Sequence, residues 1–138
     1  MAITRHETQV TWNSGSNSAT CPTAGSVISD AITLDETCFQ AQIHFKADNQ
    51  GTPDADDQVL MWLLNSGGDP DGSATAEYDS DLGGLRLAVM DTAGNNPFQR
   101  TADLPVPQKT LQIRADGEEY TTTQAIVVSA TITEQRSG

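Results

Sequence analysis

Positive charge is scarce in this sequence. Seven Lys and Arg stand against nineteen Asp and Glu, a formal charge of −12. Such a surface has no basic stripe to displace counterions from a phosphate backbone, so it argues against nucleic acid and anionic membranes as partners. Long apolar runs are missing too. The longest, Val59 to Leu64, is far too short to span a bilayer. The start, Met1-Ala2-Ile3-Thr4-Arg5-His6-Glu7, has neither the apolar core of a signal peptide nor that of an anchor, and the expectation is a protein made in a cytosol. Cysteine is limited to Cys21 and Cys38. In a reducing compartment the default is two free thiols; their separation would permit a disulfide, and geometry decides.

Catalytic parts are equally thin. Histidine occurs only as His6 and His44. A nucleophile needs a base beside it. His6 falls in the N-terminal segment, and His44 falls mid-strand between Gln42 and Lys46, where it reads as a surface residue. No Gly-x-Ser-x-Gly elbow is present. The carboxylates gather in turns, where Asp is favoured for backbone reasons alone. The seven aromatics leave little to build a sugar-binding platform. The sequence therefore reads as a protein that is not an enzyme. Asp54, Asp56 and Asp57, and Asp69, Asp71, Asp79 and Asp81, are oxygen donors that calcium could use. Asp69-Pro70-Asp71-Gly72 lacks the remaining ligands of an EF-hand, and no Cys/His cluster has zinc spacing. The expectation is no essential metal and no cofactor.

What is present is alternation with a period of two residues. Phe39, Ala41, Ile43, Phe45 and Ala47 share one parity, and Gln40, Gln42, His44 and Lys46 the other. Opposite parities on a strand point to opposite faces, so one face is buried and one wet. Thr8, Val10 and Trp12 repeat the pattern, as do Leu85, Leu87 and Val89; Leu111, Ile113 and Ala115; and Ile126, Val128, Ala130 and Ile132. Ile28, Ile32 and Leu34 share a parity with Asp30, which predicts a bulge or strand edge there because a bare buried carboxylate is costly. Phe98 to Leu104 is a weaker strand closed by Leu104-Pro105-Val106-Pro107. Turn formers fill 13–18, 48–57, 66–84 and 91–97. About eight strands without intervening helices predict an all-β, antiparallel β-sandwich of jelly-roll type. A flexible N-terminal arm over 1–7 and a single sandwich domain over 8–138 follow.

Val59-Leu60-Met61-Trp62-Leu63-Leu64 breaks the alternation by being apolar on both parities. Its second face needs cover, either from the segment Ser66 to Gly84 or from another protein chain. Trp and Met are common interface anchors, which makes Trp62 a candidate contact residue.

The order of segments carries a resemblance. Val10-Thr11-Trp12-Asn13, then Asp57-Gln58-Val59-Leu60-Met61-Trp62-Leu63-Leu64, Gly68-Asp69-Pro70-Asp71-Gly72-Ser73 with Glu77-Tyr78-Asp79, the Leu104-Pro105-Val106-Pro107 turn and the ending Ile126 to Arg136 follow one another. Together they resemble small virion proteins encoded near the major capsid protein of tailed bacteriophages, some of which are capsid decoration, or cement, proteins. The resemblance implies a partner in the major capsid protein, a trimer as a frequent state and a place on the capsid surface of a virion. An extended arm would suit strand addition to a neighbour, so Ile3, Thr4, Arg5, His6 and Trp62 are the expected interface residues. The competing reading is a carbohydrate- or calcium-binding β-sandwich of a phage tail or fibre, with Trp12 or Trp62 lining a groove beside acidic loops.

Overall fold

A computed structural model describes residues 2–55, 57–65, 85–94, 96–104, 110–118 and 125–138. The chain forms β1 (Ile3–Gln9), β2 (Ala19–Cys21), β3 (Ala24–Ile28), β4 (Ile32–Thr33), β5 (Cys38–Asn49), β6 (Gln58–Asn65), β7 (Leu85–Asp91), β8 (Phe98–Asp103), β9 (Thr110–Glu118) and β10 (Ile126–Ser137). They make two antiparallel five-stranded sheets, one ordered β1-β10-β5-β8 with β2 also on β10, the other β3-β9-β6-β7 with β4 also on β9. The result is the β-sandwich that the alternation predicts.

The pairings are nested. β6 pairs with β7, β5 with β8, β3 and β4 with β9, and β1 and β2 with β10. The chain thus behaves as one long hairpin whose successive rungs fall into alternate sheets. Both inner faces meet in a single core. β5 contributes Ala41, Ile43, Phe45 and Ala47, β9 contributes Leu111, Ile113 and Ala115, and β10 contributes Ile126, Val128, Ala130 and Ile132, all buried as their parity requires. Each large apolar side chain removed from water in this way stabilises the fold by roughly 1.5–3 kcal/mol.

Trp12, fully buried, anchors a tight reversal. Its amide and carbonyl both bond Ser16, at 2.7 Å each, around Asn13 and Ser14 with φ of 50° and 61°. Asp30 fastens this turn: its carboxylate accepts from the Ser14 and Gly15 amides and the Thr11 hydroxyl. Those bonds, led by the Ser14 amide, hold the Asp30 carboxyl below its ordinary range. The predicted interruption around Asp30 is real, since β3 stops at Ile28 and β4 begins at Ile32. It also changes the parity: Val27 packs on the core while Ile28 is exposed.

Three other expectations change. Residues 3–7 are not outside the sandwich, because β1 pairs with β10 from Ile3↔Ser137 to Gln9↔Thr131. The buried residues of β7 are Ala88 and Met90, the opposite parity to Leu85 and Val89. A register shift at Met61/Trp62 accompanies this change. Phe39 leaves the core despite its parity with Ala41. The register of β5 against β10 slips between Gln135 and Arg136, a bulge that turns Phe39 outward. Cys21 and Cys38 form no disulfide.

Candidate functional site

The outer face of the β1-β10-β5-β8 sheet is an ordered polar surface. Register fixes its rows. Gln9, Thr131, His44 and Thr101 form one; Glu7, Thr133, Gln42 and Asp103 the next; Arg5, Gln135 and Gln40 a third. Side-chain bonds tie the rows together. His44 meets Thr101 Oγ1 through Nδ1 at 2.9 Å and Gln99 Oε1 through Nε2 at 3.0 Å, and Gln42 donates to Asp103 at 2.8 Å. Arg5 donates to Glu7 at 2.6 Å along β1. The His44–Thr101 contact has the proximity of a base and a hydroxyl. It lies open between β5 and the edge strand β8; β10 and β8 flank β5 and their ladders take up its amides, so those amides are not free to hold an oxyanion.

At one end the face turns apolar. Ile3 is 63% exposed and Phe39 50%. They line a shallow depression of about 290 Å³ with Gln40, Gln42, Thr133 and Gln135. Beneath it Glu134, 2% exposed, points inward and accepts from Arg136 Nη2 at 2.9 Å and from the Asp35 amide at 3.0 Å. Burial pushes the Glu134 carboxyl up, but the Arg136 and Asp35 bonds outweigh it and hold the carboxyl below its usual range. Asp35 is lowered as well, chiefly by the Thr37 hydroxyl and amide. This cluster ties the 35–38 turn to β10 and so fixes the ground on which Phe39 stands.

The expected interface residues do not form one patch. Ile3, Thr4, Arg5 and His6 are all exposed on β1, whereas Trp62 belongs to β6 in the other sheet. Trp62 is half-buried, with the Arg114 guanidinium 5.3 Å from its ring centroid. Arg114 in turn pairs with Asp116 at 3.0 Å. Leu64, on the same parity as Trp62, is buried but stands apart from the main core cluster. The segment 66–84, weighed as cover for this face, lies outside the described residues. Trp12, weighed as a groove residue, is fully buried beneath the turn and can line none. Phe39, which alternation assigned to the core, is exposed instead; no sequence signal marks the bulge that exposes it.

Of the acidic groups weighed for calcium, Asp57 is fully buried and Asp54 exposed. Asp57 Oδ2 accepts from Asn49 Nδ2 and the Asp54 amide, and Thr92 donates to the Asp57 carbonyl. N–H donors therefore hold this carboxylate, and the network joins the 49–57 and 91–97 turns. Asp56, Asp69, Asp71, Asp79 and Asp81 lie outside the described residues. Among the described residues no helix is long and apolar enough to cross a membrane.

No family model matches the sequence, and no curated protein matches it. Among solved structures the chain is similar to FlhE, at 9% identity and TM-score 0.43 over 97% of this chain and 98% of that one. It is similar to Desmodium yellow mottle tymovirus at 11% identity and TM-score 0.40, over 98% and 87%. It is also similar to the capsid structure of Helicobacter pylori bacteriophage KHP30 at 8% identity and TM-score 0.38, over 95% and 93%. Viral capsid structures are thus among its structural neighbours.

Proposed function

We propose that this protein is a non-enzymatic structural virion protein that binds the outer surface of a phage capsid and stabilises it by bridging capsid subunits. The observation that carries the reading is the outer face just described. A sheet surface of rowed Thr, Gln and charged side chains ends in exposed Ile3 and Phe39. Apolar anchors beside a polar field are what a protein–protein contact requires. The nested winding supports it: a hairpin rolled across two sheets is how a jelly roll is wound, and jelly rolls are common in viral shells. The strong negative charge argues against nucleic acid inside the shell and for a solvent-facing position.

Bridging acts by mass action. A ligand that binds only the assembled lattice shifts the equilibrium away from disassembly. Many modest contacts repeated over the lattice add up without any strong one.

Purified shells with and without the protein provide the test. Shells carrying it should release genome at a higher temperature. The double variant Ile3→Ser/Phe39→Ser should fold normally and lose shell binding, because both side chains are exposed. Shells that fail to bind the protein, or burst at the same temperature with it as without it, contradict the reading. Deleting residues 1–7 is not a clean variant, since it strips most of β1 from β10.

A further inference from the structure

β1 has one paired edge and one open edge. It lies at the end of its sheet, and among the described residues no strand pairs with its outer side. All its residues are exposed. The Gly138 amide donates to the Ala2 carbonyl, and the Val10 amide donates to the Ala130 carbonyl. Between these two bonds an antiparallel ladder alternates, so even-numbered residues of β1 bond β10 and odd-numbered ones do not. The N–H and C=O groups of Ile3, Arg5, Glu7 and Gln9 therefore face outward. An edge of this kind is a template for another strand.

The sequence of β1 selects the strand. Consider a second copy of β1 laid antiparallel across a two-fold axis. Hydrogen-bond parity demands that odd residues face odd residues. Centring the axis on Arg5 sets Arg5 against Arg5, and centring it on Glu7 sets Glu7 against Glu7. Centring it on His6 sets Arg5 of each copy against Glu7 of the other, Thr4 against Thr8 and Ile3 against Gln9. Opposite charges and Thr–Thr pairs are favourable cross-strand neighbours, and like charges are not. The edge is therefore self-complementary in one register and repulsive in the registers on either side. Arg5 and Glu7 have side chains 64% and 58% exposed and project from the same face; they pair with each other at 2.6 Å within one copy, and each can exchange that partner for its counterpart in the other copy.

We propose that β1 is a homodimerisation edge: two copies pair antiparallel through Ile3–Gln9 about a two-fold axis at His6, with Arg5 and Glu7 meeting across it at both ends. The contact is isologous, so it closes at two copies. It joins two β1-β10-β5-β8 sheets into one continuous sheet and places the two Ile3 and Phe39 ends on a single assembly. The inference goes beyond capsid binding and stands without it.

Sedimentation velocity over a wide concentration range tests the state, and two sets of variants test the register. The wild type should show a reversible monomer–dimer equilibrium. Arg5→Glu sets carboxylates against each other at both contacts and should weaken dimerisation by about tenfold or more. Arg5→Glu/Glu7→Arg should restore it. Facing residues in a non-hydrogen-bonded pair lie about 4.5 Å apart at Cα, within disulfide reach. Under oxidant His6→Cys should therefore cross-link to itself, beyond any background from Cys21 and Cys38 in the wild type. Arg5→Cys, displaced diagonally by roughly 7–8 Å from its counterpart, should not. A wild type that stays monomeric or forms a trimer overturns the proposal. So does a dimer indifferent to Arg5→Glu, or one that cross-links through Arg5→Cys and not through His6→Cys. None of these outcomes depends on shells, so failure here leaves the capsid reading to its own test.

Discussion

A Cβ placed on Gly117 would stand 1.8 Å from the carbonyl oxygen of Pro22. Pro22 and Thr23 form the corner at which the chain leaves β2 in one sheet and enters β3 in the other. Gly117 sits on β9 between Gly25 of β3 and Val59 of β6, directly under that corner. The obstructing atoms are backbone and have nowhere to rotate. Gly117→Ala should therefore cost about 1–3 kcal/mol, the usual range for overpacking, or more if the corner cannot shift. Equilibrium urea denaturation measures it; a neutral result would show that the corner yields freely.

Glu134 sets an acid limit on stability. Its carboxyl is held low in the folded state by Arg136 and the Asp35 amide, against the upward push of burial. A depressed carboxyl contributes stability that is complete above its unfolded pKa of about 4.3 and is lost as pH falls through the lower folded value. Asp30 and Asp35 are shifted in the same direction and add to the loss. Unfolding midpoints measured from pH 7 down to about pH 3 should fall for the wild type, and fall less for Glu134→Gln. Parallel curves would show that Glu134 carries none of the acid sensitivity.

Phe45 and Trp62 should separate in their cost. Phe45 is fully buried between the sheets, and Phe45→Ala should lose about 3–5 kcal/mol. Trp62 is half-buried on the outside of its sheet under Arg114, so Trp62→Ala should lose clearly less. Denaturation of both variants checks the ranking; equal losses would mean that the outer face of β6 is as tightly covered as the core.

Cys21 should be inert. Burial, with Asp116 adding to it, pushes its thiol up to about 12. Cys38 is raised as well, first by partial burial and then by Glu134, but it is more accessible. Iodoacetamide at mildly alkaline pH should leave Cys21 unlabelled in the native protein and label it after unfolding. Native labelling of Cys21 faster than Cys38 would contradict its place in the core.

Much of this fold was legible in the sequence because burial has the period of the strand. β5, β9 and β10 alternate, and apart from Phe39 the apolar residues the pattern named as inward are buried. The turn at 13–16 and the break at Asp30 were legible for chemical reasons: small polar residues adopt positive φ, and a carboxylate seeks amides. What escaped depends on register. The slip at Gln135/Arg136 exposes Phe39, and in β7 the fully buried residues are Ala88 and Met90, while Leu87, the middle residue of the triplet read as inward, still packs on the core. A bulge costs one residue and leaves no compositional mark. β1 escaped for another reason. All its residues stay exposed, so no apolar alternation announces it, and its pairing with β10 rests on backbone bonds. The candidate surface was accordingly half visible: Ile3 to His6 were named, Phe39 was assigned to the core, and Trp62 belongs to the other sheet.

The proposed function requires this protein on the capsid exterior. Quantitative mass spectrometry of purified, intact virus particles tests it most directly, with the ratio of this chain to the major capsid protein as the readout. A fixed ratio set by the lattice, retained through salt washes and removed by protease without opening the shell, is the predicted result. Particles that contain no stoichiometric amount of the chain, or hold it only inside a protease-resistant shell, would rule out a place on the capsid exterior.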